Sequence, residues 1–219
     1  EEQFQLNLQM GADRVESAVE ASRLPSYDPE LGESWNQYRQ DGNYALFYRR
    51  CYGLFNRLYQ ADSRFRYAVV CLSDSPENTS ITVVNGSSGS SEKQVRDRWR
   101  GDLPAVTELA ASLDTAVGFL ERDGQVYLVR NLMGRDFRPI GVLALALDLP
   151  YYFEDLSLLG WASSVSVELG ADTVLSVKGG APPPQGEKTL EHAVTTRDLT
   201  LRGMAAVDYA ALLAGFPAC

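Results

Sequence analysis

Histidine is nearly absent from this chain, His192 being the only one in 219 residues, and cysteine is scarce, at Cys51, Cys71 and Cys219. With no C-x-x-C pair and no His/Cys cluster, a zinc site has no ligands to draw on. No Asp-x-Asp-x-Asp loop offers itself to calcium either. Neither a metal nor any cofactor is implied. A serine triad would require His192, which sits in the alternating, strand-like "TLEHAVTTRDLTL" with no nucleophile elbow or Gly-rich oxyanion loop nearby. It reads as a partly exposed strand residue. Three cysteines do not make a disulfide framework in a chain this long. Cys51 falls in a helical pattern and Cys71 in a strand, so a bond between them stays open beside the plainer reading of two buried free thiols.

Basic residues are outnumbered, 20 Lys and Arg against 29 Asp and Glu, for a formal net charge of −9. Nucleic acid is therefore excluded as a partner, and anionic membrane faces are disfavoured, because both demand clustered positive charge. Long apolar runs are missing as well. The most apolar stretch, residues 140–149, carries one charge and stops at Pro150, whereas a membrane helix needs about 20 residues. The chain starts at Glu1 with no signal peptide in view, which leads us to expect an excised piece of a longer protein.

What is present is an ordinary globular composition, 45% hydrophobic and 22% charged. Phe4, Leu8, Gly11, Val15, Ala18 and Ser22 form one face of a first helix. Pro25 and Pro29 are expected to end it in a loop. A second helix over residues 44–60 carries Tyr44, Phe47, Tyr48, Cys51, Phe55, Leu58 and Tyr59 on one face. From residue 65 the period becomes that of strands: "FRYAVVCLS" and "SITVVNG" flank the turn residues "DSPENT", and "NGSSGSSEK" reads as an exposed mobile loop. Two short helical pieces, "SEKQVRDRWR" and "LPAVTELAASL", precede a hairpin around Asp123-Gly124. "FRPIGVLALALDL" supplies a fifth strand. The class is α+β, with an antiparallel five-stranded sheet against long N-terminal helices. Residues 1–157 form this larger domain. Residues 158–219 form a smaller α+β module, with two strand pairs, a loop stiffened by Pro182, Pro183 and Pro184, and a closing helix capped by Asp208.

Both parts end alike, in an apolar strand, an Asp and an aromatic-bearing helix: "LALALDLPYYFEDL" and "RGMAAVDYAALLAGF". On that ending and the element order, the chain resembles the extracytoplasmic Cache-type sensor region of bacterial membrane receptors, especially sensor histidine kinases. Such regions pair a PAS-like membrane-distal domain with a reduced membrane-proximal one. The resemblance covers nearly the whole chain. It implies a sensor outside the cell membrane, with no catalysis of its own and a kinase in the part not present. Alternatives are the sensor of a chemoreceptor or cyclic-dinucleotide signalling protein, or a dimerisation domain that binds nothing small.

The resemblance also implies a pocket between one sheet face and the insertion after the second strand, here "QVRDRWRGDLP". Arg96, Arg98 and Trp99 are the candidates in it. Amino-acid-sensing members carry an Arg-x-Trp-Tyr pattern, which this chain lacks, reading Arg98-Trp99-Arg100. Guanidinium groups beside an indole still suit a carboxylate, sugar or phosphate-bearing ligand, and amines stay open; the competing reading is a solvated helix with Trp99 in the core. On the hairpin, Tyr127 and Arg130 point to opposite sheet faces and are alternatives; Tyr67 poses the same ambiguity. Asp148 could accept a ligand amine or cap the next helix. Two further readings compete. Paired acids Glu154 and Asp155 could serve a hydrolase, but adjacent helical residues project about 100° apart and do not flank one substrate. The Phe4 to Ser22 stripe could instead pair two chains as a homodimer.

Overall fold

A computed structural model describes residues 1–73, 80–134, 136, 138–170, 173–179 and 188–208. The elements are α1 (Glu2–Tyr27), α2 (Pro29–Asp41), α3 (Tyr44–Tyr59), β1 (Phe65–Leu72), β2 (Ser80–Val84), α4 (Glu92–Leu113), β3 (Val117–Arg122), β4 (Gln125–Met133), β5 (Pro139–Leu147), α5 (Leu149–Ser157), β6 (Ala162–Leu169), β7 (Thr173–Lys178), β8 (Thr189–Thr195) and β9 (Thr200–Val207). The turn at 74–79, the Pro-rich loop at 180–187 and the expected closing helix at 209–219 lie outside the described residues. Packing divides the chain into Ala18–Asp148 and a second unit of Glu1–Ser17 with Leu149–Cys219. The sequence placed its boundary after residue 157, at the end of α5.

The larger unit holds an antiparallel sheet in the order β2-β1-β5-β4-β3. The apolar run becomes β5, the central strand, and is buried on both faces, as a continuous apolar run requires: Leu143, Ala144, Leu145, Ala146 and Leu147 are at most 1% exposed. Gly141 is required there, since a Cβ would lie 2.5 Å from the Cys71 carbonyl oxygen. One sheet face, with Tyr67, Val69, Tyr127, Val129, Ala144 and Ala146, packs against Val95, Trp99, Val106 and Ala110 of α4. On the other face lies Arg130, bonded to Ser22 of α1, and Phe65, whose ring meets Tyr59 of α3 edge-on at 5.7 Å.

Three helix boundaries correct the sequence reading. Pro25 does not end α1, which runs on to Tyr27. Proline has no N–H to give the carbonyl four residues back, and that carbonyl, of Ala21, instead accepts from the buried Tyr59 hydroxyl at 3.1 Å. The expected loop around Pro29 is α2: Asp28 caps it by accepting from the Glu30 N–H, and Pro29 takes the first turn, where no N–H is needed. The two pieces after the Ser-rich loop are one helix, α4, which runs through Pro104. The carbonyl freed there belongs to Arg100, an exposed residue that water can reach.

The smaller unit has a four-stranded antiparallel sheet in the order β7-β6-β9-β8, separate from the first. The start of α1 belongs to it. Phe4 meets Trp161 edge-on at 6.4 Å, Leu8 lies over Gly203 and Gly11 faces the Phe153 ring. Arg14 pairs with Asp155 at 3.0 Å, which gives one of the two adjacent acids a structural partner. The Phe4 to Ser22 stripe is buried within its own chain, so a homodimer through that face is ruled out. His192 lies half-buried on the edge strand β8, opposite Gly203. Cys51 and Cys71 are free thiols, the first buried and the second partly so.

Candidate functional site

A cleft of about 360 Å³ opens in the larger unit between the sheet and the N-terminal part of α4, lined by Arg66, Tyr67, Gly89, Ser90, Gln94, Val95, Arg98 and Gln125. Its shape starts with a β-bulge. Phe65 pairs with Leu147 and Tyr67 with Ala146, so β1 has one more residue than β5 at this point, and the extra residue is Arg66. The bulge turns Tyr67 to the α4 face although Phe65, two residues earlier, points to the other, and it brings Arg66 to the rim beside Tyr67.

The loop that forms the mouth is largely exposed, as expected, and is tied back to its base by hydrogen bonds. Buried Asn85 donates to the Asp62 carbonyl at 2.9 Å and accepts from the Ser87 N–H at 2.8 Å, and the Ser88 hydroxyl donates to the Asn85 carbonyl. The loop then delivers Ser91 as the cap of α4 in a reciprocal pairing with Gln94. The tight hairpin of β3 and β4 has positive φ at Asp123 and Gly124, 47° and 75°, as that dipeptide requires.

Below the cleft is a buried polar chain. The Tyr127 hydroxyl donates to Asp102 at 2.6 Å, and its oxygen lies 2.8 Å from the Tyr67 hydroxyl, which must then donate to it. Asp102 is 3.4 Å from Arg98 Nε, and its side chain is 5% exposed against 37% for Arg98. Arg98 Nη2 also donates to the hairpin carbonyls of Arg122 and Asp123 at 2.7 and 2.9 Å. Burial first, and then the bonds to Asp102 and Tyr67, push the Tyr127 phenol far above its usual pKa. Burial also raises Tyr67, against the opposing bond from Tyr127. Both stay protonated and act as donors.

Of the residues expected from sequence, Tyr67 and Arg98 line the cleft. Tyr127 lies in the layer beneath. Trp99 is 4% exposed in the core cluster, edge-on to Tyr127 at 6.2 Å, so the core reading holds for it. Its neighbour Cys71 is pushed up to about 11 by burial, against a smaller lowering by the indole N–H, although that contact falls short of hydrogen-bond geometry. Arg96 is exposed and pairs with Glu92 one turn away. Arg130, on the opposite face, donates to Ser22 at 2.9 Å and to the Thr115 carbonyl at 3.1 Å. Asp148 is not in the lining; its N–H bonds the Arg64 carbonyl at the end of β5. Sequence reasoning missed Arg66, Ser90, Gln94 and Gln125. A bulge has no local signature, but the Arg98/Asp102 spacing of four was a readable sign of a helical ion pair.

A second cleft, of about 340 Å³, lies in the smaller unit, with Leu149, Pro150, Phe153, Leu175 and Val177 among its walls. Glu154, Ser157 and Ser176 also line it, but both serine hydroxyls are spent on backbone carbonyls, of Glu154 and Gly179, which leaves one carboxylate among mostly apolar walls.

No protein-family profile matches this chain, and no curated protein matches it by sequence. Its fold is nevertheless that of the extracellular and periplasmic sensory domains of bacterial histidine kinases and chemoreceptors. The extracellular domain of vpHK1S-Z8, assigned as a histidine kinase, is similar over 100% of this chain and 94% of its own, at a TM-score of 0.56 and 13% identity. The periplasmic sensory domain of the Campylobacter jejuni chemoreceptor Tlp1 is similar over 99% and 95%, at 0.55 and 8%. The ligand-binding domain of the C. jejuni chemoreceptor Tlp3, solved with L-norvaline, is similar over 100% and 92%, at 0.55 and 7%.

Proposed function

We propose that this chain is the extracytoplasmic ligand-sensing region of a bacterial membrane receptor, with a histidine kinase as its output in another part of the protein and no catalysis of its own. The cleft carries the reading: a concave site of ligand size lined by two arginines, Arg66 and Arg98, beside a buried tyrosine. The unit Ala18–Asp148 does the sensing. The fold supports the reading through the sensory domains it resembles.

The direct test is a thermal-shift screen of small acids, sugars and amines on the 219-residue chain. A hit whose stabilisation vanishes in Arg66→Gln supports the proposal; silence across the whole panel counts against it. Membrane attachment has its own check, because among the described residues no helix is long and apolar enough to cross a bilayer. The full-length gene product should carry an apolar span of about 20 residues on each side. A homodimer through α1 would have to use its outer stripe, where Leu6, Met10, Leu24 and Tyr27 are exposed; sedimentation of Leu24→Glu against the wild type tests that.

A further inference from the structure

Resting on that reading, we infer that the cleft selects small anions that carry no ammonium group. The eight lining residues include two arginines and no carboxylate, in a chain whose net charge is −9. The local field is the reverse of the global one.

The hydrogen-bond inventory points the same way. The Asp102 carboxylate, beside Arg98, is buried outside the lining, with its Oδ2 shared between Tyr127 and Arg98, so the cleft wall offers a ligand ammonium no anionic partner. Arg66 makes one long side-chain hydrogen bond among the described residues, 3.5 Å to Gln125 Oε1, which leaves its other N–H donors uncommitted. Gln94 has its oxygen engaged by the Ser91 N–H and hydroxyl at 2.8 and 2.9 Å, so what remains on its amide is the donating nitrogen. Gln125 donates to the Val126 and Leu147 carbonyls, and its oxygen faces Arg66. Tyr67, whose proton goes to Tyr127, adds one acceptor; against it stand the free N–H groups of Arg66 and of the Gln94 amide, so what the cleft offers is mostly donors. An ammonium, a donor only, is mismatched; the ionised oxygens of a carboxylate or phosphate, which accept, are matched. The mouth also borders the capped start of α4, a 22-residue helix whose N-terminal field favours negative charge.

Carboxylate and phosphate share this chemistry, and four probes separate the outcomes. Calorimetric titration of the 219-residue chain with succinate, inorganic phosphate, L-alanine and putrescine should show binding by succinate or phosphate, and the stronger of the two identifies the acid group. Binding should weaken with added salt. It should also fall by roughly 10-fold or more in Arg66→Gln, the loss expected of a charged hydrogen bond. Arg98→Gln is less clean, because Arg98 also ties α4 to the hairpin; Arg66→Lys, which keeps the charge, should retain part of the affinity. Putrescine or L-alanine binding as tightly as the anions, with the same dependence on Arg66, overturns the charge assignment and leaves ligand sensing intact. A folded chain that binds neither anion also overturns it, and the sensing proposal falls with it only if the broad screen of acids, sugars and amines is silent too.

Discussion

Tyr67 and Tyr127 stand on strands that are not neighbours, yet their hydroxyl oxygens are 2.8 Å apart. Both pair with the same residue of the strand between them, Ala146. Two strand spacings separate their backbones by about 10 Å, and only a side chain as small as alanine lets the two phenols meet above it. The pair, with Asp102 beyond, is the polar layer on which the cleft rests.

Removing the donor at the centre of that layer should cost more than removing the one at its end. Tyr127→Phe leaves a buried Asp102 oxygen without its 2.6 Å partner and should lose about 1–3 kcal/mol. Tyr67→Phe should lose less, because the Tyr127 hydroxyl keeps its bond to Asp102. Urea denaturation of both variants checks the order.

Trp99→Ala and Leu145→Ala should destabilise the chain comparably, by about 2 to 5 kcal/mol, since both side chains are buried, at 4% and 0% exposure. Leu147 shares a sheet face with Leu145 and should behave alike. Thermal and urea unfolding measure the losses. A Trp99→Ala protein of near wild-type stability would place that indole outside the core.

Tyr59 and Pro25 should be coupled through the Ala21 carbonyl. Tyr59→Phe removes the donor and should cost about 1–3 kcal/mol. In that background Pro25→Ala restores an N–H four residues from Ala21 and should recover part of the loss. A double-mutant cycle with no coupling would show that the carbonyl is satisfied in another way.

The two described thiols should be slow to alkylate at pH 8. Burial pushes Cys51 up to about 12 and Cys71 up to about 11, from an ordinary 9.0. Above pH 9 the unfolded chain sheds thiol protons that the folded chain keeps, so these groups lower stability progressively as pH rises from about 9 toward 12, and contribute nothing to pH dependence below that range. Iodoacetamide labelling in a Cys219→Ser background reads the reactivity directly. Cys71, partly exposed, should react before Cys51.

The sheet was legible in the sequence because its signals are local: β-branched runs, alternation, and Asp123-Gly124 between β3 and β4. The helix ends were not. Pro25 and Pro104 carry the strongest local stop signal, and at Pro25 its effect is offset by a hydroxyl 34 positions away, which no window of sequence contains. Asp28-Pro29-Glu30 did carry a readable start signal, cap then proline then acid, that the two prolines obscured. The cleft was half legible. Arg98 and Tyr67 followed from the resemblance, but the faces of β1 depend on one unpaired residue, and a period of two cannot announce where it slips.

That unpaired residue gives the scaffold a particular freedom to change. On a regular strand, each position serves either the core or the solvent, and altering its chemistry disturbs whichever it serves. Arg66 lies in the bulge, owed to neither, so a single codon change there could rewrite what the rim attracts while Phe65 and Tyr67 keep their places on opposite faces. Sister proteins with this fold could diverge in taste at that position while the sheet beneath them stays the same.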